Sequence, residues 1–215
     1  MTDPESRELD RLSRLHTRRE IAFGKAAAFG AYRFENDNGS VPQLSEAKKY
    51  VALWEEMLEN DIGLLFWGLP GNGKTFAAAC IANALCEKWL DVRMTTLAAV
   101  LGKLPALSAQ EKNDYLDSLK ACDLLILDDF GMERRTDYAQ EQVFSLIDGR
   151  YLARKPLIVT TNLCLQELKQ PADMTERRVF DRILEICVPV CFDGPSLRQE
   201  KAKDTVARYK ELTGR

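Results

Sequence analysis

The segment Gly68-Leu69-Pro70-Gly71-Asn72-Gly73-Lys74-Thr75 constrains this chain more than any other feature. It fills the pattern GxxxxGK[ST] at every fixed position. An apolar run, Leu64-Leu65-Phe66-Trp67, leads into it, and an alanine-rich stretch beginning Lys74-Thr75-Phe76 leads out. A glycine-rich bend between a strand and a helix turns successive backbone N–H groups inward around a phosphate, and the helix N-terminus adds its positive dipole end. Lys74 brings a charge for the β/γ oxygens, and the Thr75 hydroxyl is suited to Mg2+. The residues predicted to contact a bound nucleoside triphosphate are Gly68, Pro70, Gly71, Asn72, Gly73, Lys74, Thr75 and Phe76.

The rest of the chain alternates in a way that suits such a loop. Apolar runs predict strands at Ile62–Trp67, Asp91–Thr95, Cys122–Leu127, Pro156–Thr160 and Cys187–Phe192. Helical patterns fall at Lys74–Trp89, Ser108–Leu119, Thr136–Ala153 and Met174–Ile186. Strictly alternating strands and helices imply a mainly parallel sheet covered on both faces. Ahead of this core, Glu5 to Ala28 reads as one helix closed by Gly30, with Leu9, Leu12 and Leu15 among paired charges. After a turn-rich loop at Glu35–Ser40, Val41 to Glu59 reads as a second helix. A basic helix, Ser196 to Leu212, closes the pattern.

Leu124-Leu125-Ile126-Leu127-Asp128-Asp129 is a buried strand ending in two acids. The carboxyl end of a parallel strand is where ligands bind in an open α/β sheet. Asp128 is placed to join Thr75 in the Mg2+ shell, and Asp129 to orient and deprotonate an attacking water, the alternative being that Asp129 only caps the next turn. The strand Leu157-Ile158-Val159-Thr160 runs into Thr161-Asn162, a polar tip within reach of a γ-phosphate or its water if this strand lies beside the loop.

These parts, in this order, resemble the AAA+ ATPases, and within them the DnaC/IstB-like group that includes bacterial helicase loaders. The resemblance is carried by Gly68–Thr75, by LLILDDFG at Leu124–Gly131, by LIVTTN at Leu157–Asn162, by RVFDRIL at Arg178–Leu184 and by GPSLR at Gly194–Arg198. It covers roughly Tyr32 to Lys203, and the DR followed by GxSxR is its most specific part. The resemblance implies ATP as the nucleotide, hydrolysis that depends on oligomerisation, and a five-stranded P-loop sheet in a three-layer sandwich, order 5-1-4-3-2; Asp129, one methylene shorter than the Glu more often found at its place, makes a slow basal rate the expectation. It also implies that Asn162 is the sensor 1 residue, Arg182 the arginine finger acting on a neighbour's ATP, and Arg198 the sensor 2 arginine. An always-charged forked guanidinium suits a developing phosphoryl charge. The bland readings are a surface ion pair of Arg182 with Asp181 or Glu185, and a solvated helix face for Arg198.

Two units are expected, a short N-terminal helical segment and linker over 1–40 and the ATPase domain over 41–215. The chain following the last strand is too short for the full helical lid of many AAA+ relatives. The partners implied are a hexameric replicative helicase, further copies of the chain in the ATP state, and single-stranded DNA bound weakly or only with ATP. The alternatives are a helper ATPase of transposition and, less in keeping with the DD and TTN segments, a small-molecule kinase. Net charge is −3, so no global basic field draws nucleic acid. The family's single-strand element maps to Thr96–Leu107, which has one basic residue, Lys103; Arg198, Lys201, Lys203, Arg208, Lys210 and Arg215 form a local excess near the end. The apolar runs are too short to cross a bilayer. The six cysteines lack metal-ligand spacing, the N-terminus has no apolar signal core, and a reducing cytoplasm is the expected location.

Overall fold

Side chains along a strand alternate between the two faces of a sheet, and both faces here are apolar. In the computed structural model, which describes residues 4–24, 26–131, 136–171 and 173–214, Leu64, Phe66, Leu124, Ile126 and Ile158 point into one core. Leu65, Leu125, Leu127, Leu157 and Val159 point into a second core on the other side. Among the described residues the strands are β1 (Gly63–Trp67), β2 (Val92–Thr96), β3 (Leu124–Phe130), β4 (Leu157–Thr161) and β5 (Cys187–Cys191). Their order is β2-β3-β4-β1-β5, with every neighbouring pair parallel. This is the expected 5-1-4-3-2 sheet, and it places β4 directly beside β1 as the phosphate loop requires.

The helices are α1 (Pro4–Phe23), α2 (Leu44–Ala52), α3 (Trp54–Glu59), α4 (Lys74–Glu87), α5 (Leu97–Lys103), α6 (Ala109–Ala121), α7 (Asp137–Leu152), α8 (Leu165–Lys169), α9 (Met174–Ile186) and α10 (Leu197–Thr213). Helices α1, α2 and α4 cover the first face; α5, α6, α7 and α9 cover the second. Helix α4 is buried nearly all round because Ala77, Ala78, Ala79 and Ala82 let it press between the sheet and the outer helices. Among the described residues one helix, α10, follows β5, and it is exposed from residue 202 to residue 214. Arg208 and Lys210 of the basic excess project from it; the side chain of Lys201, and Arg215, lie outside the described residues. No helix among the described residues is long and apolar enough to cross a membrane.

Several boundaries differ from those the sequence pattern predicts. The first helix ends at Phe23, because Gly24 takes a positive φ of 50° and returns its N–H to Glu20 at 2.8 Å. The chain then makes a tight 3-10 turn over Ala27–Ala31. That turn is fastened by Asn83 of α4, whose amide donates to the carbonyls of Phe29 (2.9 Å) and Tyr32 (2.8 Å). The helix expected over Val41–Glu59 begins at Leu44 and breaks at Leu53. The break lets Tyr50 donate its hydroxyl to the Ile62 carbonyl at 2.8 Å and lets Trp54 enter the core with no exposure. Strand β3 runs on through both acids to Phe130, and α5 and α8 were not predicted.

The leucine-bearing first helix docks on its own body through one half. Leu15, Ala22 and Phe23 are buried, Arg18 donates to the Leu90 carbonyl at 2.8 Å, and Arg19 pairs with Glu87. Leu9 and Leu12, in the other half, are 68% and 52% exposed. Phe23→Ala is therefore expected to lower the unfolding free energy by about 3–5 kcal/mol. Leu12→Ala is expected to cost less than about 0.5 kcal/mol. Urea melts of the two variants would show equal shifts if α1 were not part of the folded body.

Candidate functional site

Gly68 leaves the end of β1 with φ of 131°, a conformation side chains rarely adopt. A Cβ there would lie 2.4 Å from the Phe192 carbonyl oxygen, so the bend can press against the chain leaving β5 only with glycine at this position. The Asn72 side chain holds the same junction, donating to the Phe192 carbonyl at 3.0 Å while 5% exposed. Gly73, with φ of 94°, is the N-cap of α4 and packs under Val41. Pro70 stands at the exposed tip of the bend. Phe76, on the first turn of α4, packs its ring against Tyr32 with centroids 5.2 Å apart and planes inclined at 57°.

Lys74 is buried at the start of α4, and its ammonium donates to the carbonyls of Gly68 (2.7 Å) and Leu69 (2.8 Å). Burial pushes its pKa down, and the charges of Asp129 and Asp128 work against that shift. Thr75 donates its hydroxyl to the Asp128 carboxylate, 3.0 Å from Oδ1 and 3.2 Å from Oδ2. The loop helix and the acid pair of β3 are therefore joined by a direct hydrogen bond across 53 residues of sequence.

Asp128 is 5% exposed, and burial raises its pKa above the usual carboxylate value. The hydrogen bond donated by Thr160 at 2.6 Å opposes that rise most strongly, and the neighbouring Asp129 charge reinforces it. Thr160 also accepts the backbone N–H of Asp129 at 3.0 Å. At this point the register between β3 and β4 slips, Leu127 pairing with Val159 and Phe130 with Thr161. Two residues of β3 thus face one residue of β4, the signature of a bulge. Asp129 absorbs the extra length with φ of 52°, and the bulge leaves it exposed while Asp128 and Phe130 stay buried.

Asn162 lies one residue beyond β4, half-buried, at the same end of the sheet as the acids. Arg198 is on the first turn of α10, which is fastened to the bend by the Leu197 N–H donating to the Gly71 carbonyl at 2.9 Å. The Arg198 Cβ is 3.7 Å from the point where a Gly71 side chain would begin, and its charge contributes to the lowering at Lys74. Arg182 stands apart. It belongs to α9, which runs towards the opposite end of the sheet and into β5, and it pairs with Asp148 and Glu185. The predicted residues other than Arg182 thus lie at one end of the sheet.

Ser196 lies within the GPSLR segment already singled out, whereas three contributors escape the sequence pattern: Thr160, Val41 and the Phe192 carbonyl. Thr160 alone had a visible signal, a hydroxyl in the otherwise apolar run LIV, but nothing in the run shows that it faces both acids. The site fits a nucleotide with a divalent cation on its donor set. Thr75 and Asp128 offer paired hard oxygens beside a loop whose lysine is held by two backbone carbonyls.

The sequence profile of the family described as IstB-like ATP binding protein matches residues 6–205. The replicative helicase loader DnaC of Escherichia coli (strain K12) is 29% identical over 159 residues, which is 73% of this chain and 62% of that protein. This chain thus spans about three-fifths of the length of that protein. A crystal structure of the DnaC helicase loader superposes with a TM-score of 0.65 at 24% identity, covering 77% of this chain and 99% of that one. A crystal structure of DnaI gives 0.67 at 20% identity, with 83% and 98% covered.

Proposed function

The chain belongs to the IstB-like ATP-binding family, and from that premise we propose that it hydrolyses ATP and acts in DNA replication as a helicase loader. The observation that carries this reading is the Thr75–Asp128 hydrogen bond, which sets the phosphate bend and the β3 acids on one side of the sheet. The amides of the bend and the N-terminus of α4 receive the phosphates. Lys74 exchanges its two carbonyl partners for β/γ oxygens, a charge-assisted contact stronger than the bonds it leaves. Thr75 and Asp128 would hold Mg2+, which when bound neutralises charge on the phosphate oxygens. Asp129 orients the attacking water and accepts its proton, Asn162 contacts the water or the γ-phosphate, and Arg198 contacts the phosphates from the α10 side.

Arg182, turned away from its own bend, serves a neighbouring copy, so that ATP assembles subunits and hydrolysis in trans releases them. Residues 41–215 carry this chemistry and residues 1–40 form the linker and a partner-contacting arm. The exposed Leu9 and Leu12 on that arm suit a groove on a hexameric helicase. Single-stranded DNA is bound weakly and with ATP, in the cytoplasm. Lys103 is the sole basic residue of the Thr96–Leu107 segment, and it lies 3.8 Å from the centre of the Tyr115 ring.

Helper activity in transposition is the competing reading, favoured by the family profile itself. Gel filtration with ATPγS, against the host's replicative helicase and separately against an IS21-type transposase, decides between them. Co-elution with the helicase alone, lost in a Leu9→Asp/Leu12→Asp double variant, is the expected result. Co-elution with the transposase alone overturns the loader assignment.

A further inference from the structure

Arg182 does not float at the surface of α9. Its guanidinium carbon sits 3.9 Å from the centroid of the Tyr151 ring. Its Nε is 3.2 Å from Oδ1 of Asp148, and its Nη1 is 3.7 Å from Oε2 of Glu185. The Tyr151 hydroxyl in turn donates to Oε1 of Glu185 at 2.7 Å. Tyr151 and Asp148 are three residues apart on α7, and Arg182 and Glu185 three apart on α9, so two helix faces that pack together each contribute two members.

Each contact constrains a different freedom of the arginine. The ring face fixes the plane of the guanidinium, since a cation stacks on an aromatic face. Asp148 fixes the inner edge through Nε, and Glu185 one terminal nitrogen. Among the described residues no partner takes Nη2. The side chain is 36% exposed, so the clamp leaves part of it open to solvent. An ordinary surface ion pair would need neither the ring nor the second acid, and would contribute little.

We propose that Tyr151 and Asp148 are positioning residues for Arg182, holding its guanidinium stacked and turned outward so that it meets the γ-phosphate bound by a second copy of this chain. This rests on the in-trans role of Arg182 proposed above. Neither positioning residue touches the nucleotide; they act by removing rotamers the arginine would otherwise have to lose on meeting the phosphate. The hydrogen bond of Tyr151 to Glu185 adds to this, but the stacking surface is the larger part, so the ring matters more than the hydroxyl.

ATP turnover of the full chain at a protein concentration that saturates assembly tests this. Tyr151→Leu is expected to lower kcat about 10- to 100-fold with KM for ATP within about twofold, because the triphosphate is held by its own subunit's bend. Tyr151→Phe, which keeps the ring, should retain most of the rate. Asp148→Ala should lower kcat in the same manner without altering the ring, so the test survives if Tyr151→Leu folds poorly. Adding an Asp129→Asn subunit, whose clamp is intact, should restore turnover to either. A Tyr151→Leu and an Asp148→Ala protein that both turn over at the unmodified rate, while Arg182→Ala is inactive, would overturn the positioning role and leave the finger standing. An Arg182→Ala protein with the unmodified rate would instead remove the in-trans reading beneath it.

Discussion

Lys74→Ala is expected to weaken ATP binding by about 10- to 100-fold, the range of a charge-assisted hydrogen bond set against leaving its partner unmade. The geometry explains why the loss should appear in affinity. The Lys74 ammonium already occupies the bend, bonded to the Gly68 and Leu69 carbonyls, and burial lowers its pKa. A triphosphate offers it oxygens of full negative charge in their place. Without the amine, the bend keeps its glycine conformations and its junction with Phe192, since those rest on Gly68 and Asn72. The variant should therefore fold and melt close to the unmodified protein. Calorimetric titration with ATP and Mg2+ giving an unchanged Kd would sink the assignment of this bend as the phosphate site.

Asp129→Asn should keep ATP affinity within a few-fold and lower hydrolysis by about 10²- to 10⁴-fold, the usual worth of a positioned general base. Asparagine is the informative replacement because Asp129 has φ of 52°. Aspartate and asparagine tolerate that left-handed conformation better than most side chains, whereas alanine would add a backbone cost of about 1–2 kcal/mol to the chemical one. Phosphate release measured on Asp129→Asn alone, on Arg182→Ala alone, and on their mixture separates two ideas. Activity returning in the mixture means that a subunit with an intact acid is served by a neighbour with an intact finger. If both variants assemble with ATP and the mixture stays inactive, the arginine does not act across subunits.

The sheet and most of the site were legible because they rest on short-range chemistry. A bend of fixed spacing between an apolar run and an alanine-rich helix leaves few alternatives, and the strand-helix alternation then dictates a parallel sheet. What stayed hidden depends on which residues meet through space. Thr160 reads as one more strand residue until the register slip between Leu127 and Phe130 turns its hydroxyl towards both acids. The break at Leu53 has no glycine or proline to announce it; it follows from Trp54 finding room in the core. Helix α5 did carry a signal, the Thr96 hydroxyl accepting the Ala99 N–H at 3.0 Å, but its seven residues gave too short a pattern to stand out. The clamp around Arg182 joins residues of two helices; sequence proximity suggested Asp181 or Glu185, and the fold supplies Glu185 together with Asp148 from the other helix.

Helix α10 has a mechanical property that its composition does not suggest. Its root is fastened to the phosphate bend by Leu197 and packed there through Ser196, whereas residues 202–214 are exposed. Seventeen residues make a rod of about 25 Å. A tilt of about 10° at the root would carry the far end by roughly 4 Å along such a rod. By leverage alone, any rotation of the helix about its attachment to Gly71 is larger at Tyr209 and Leu212, both exposed, than at the bend itself.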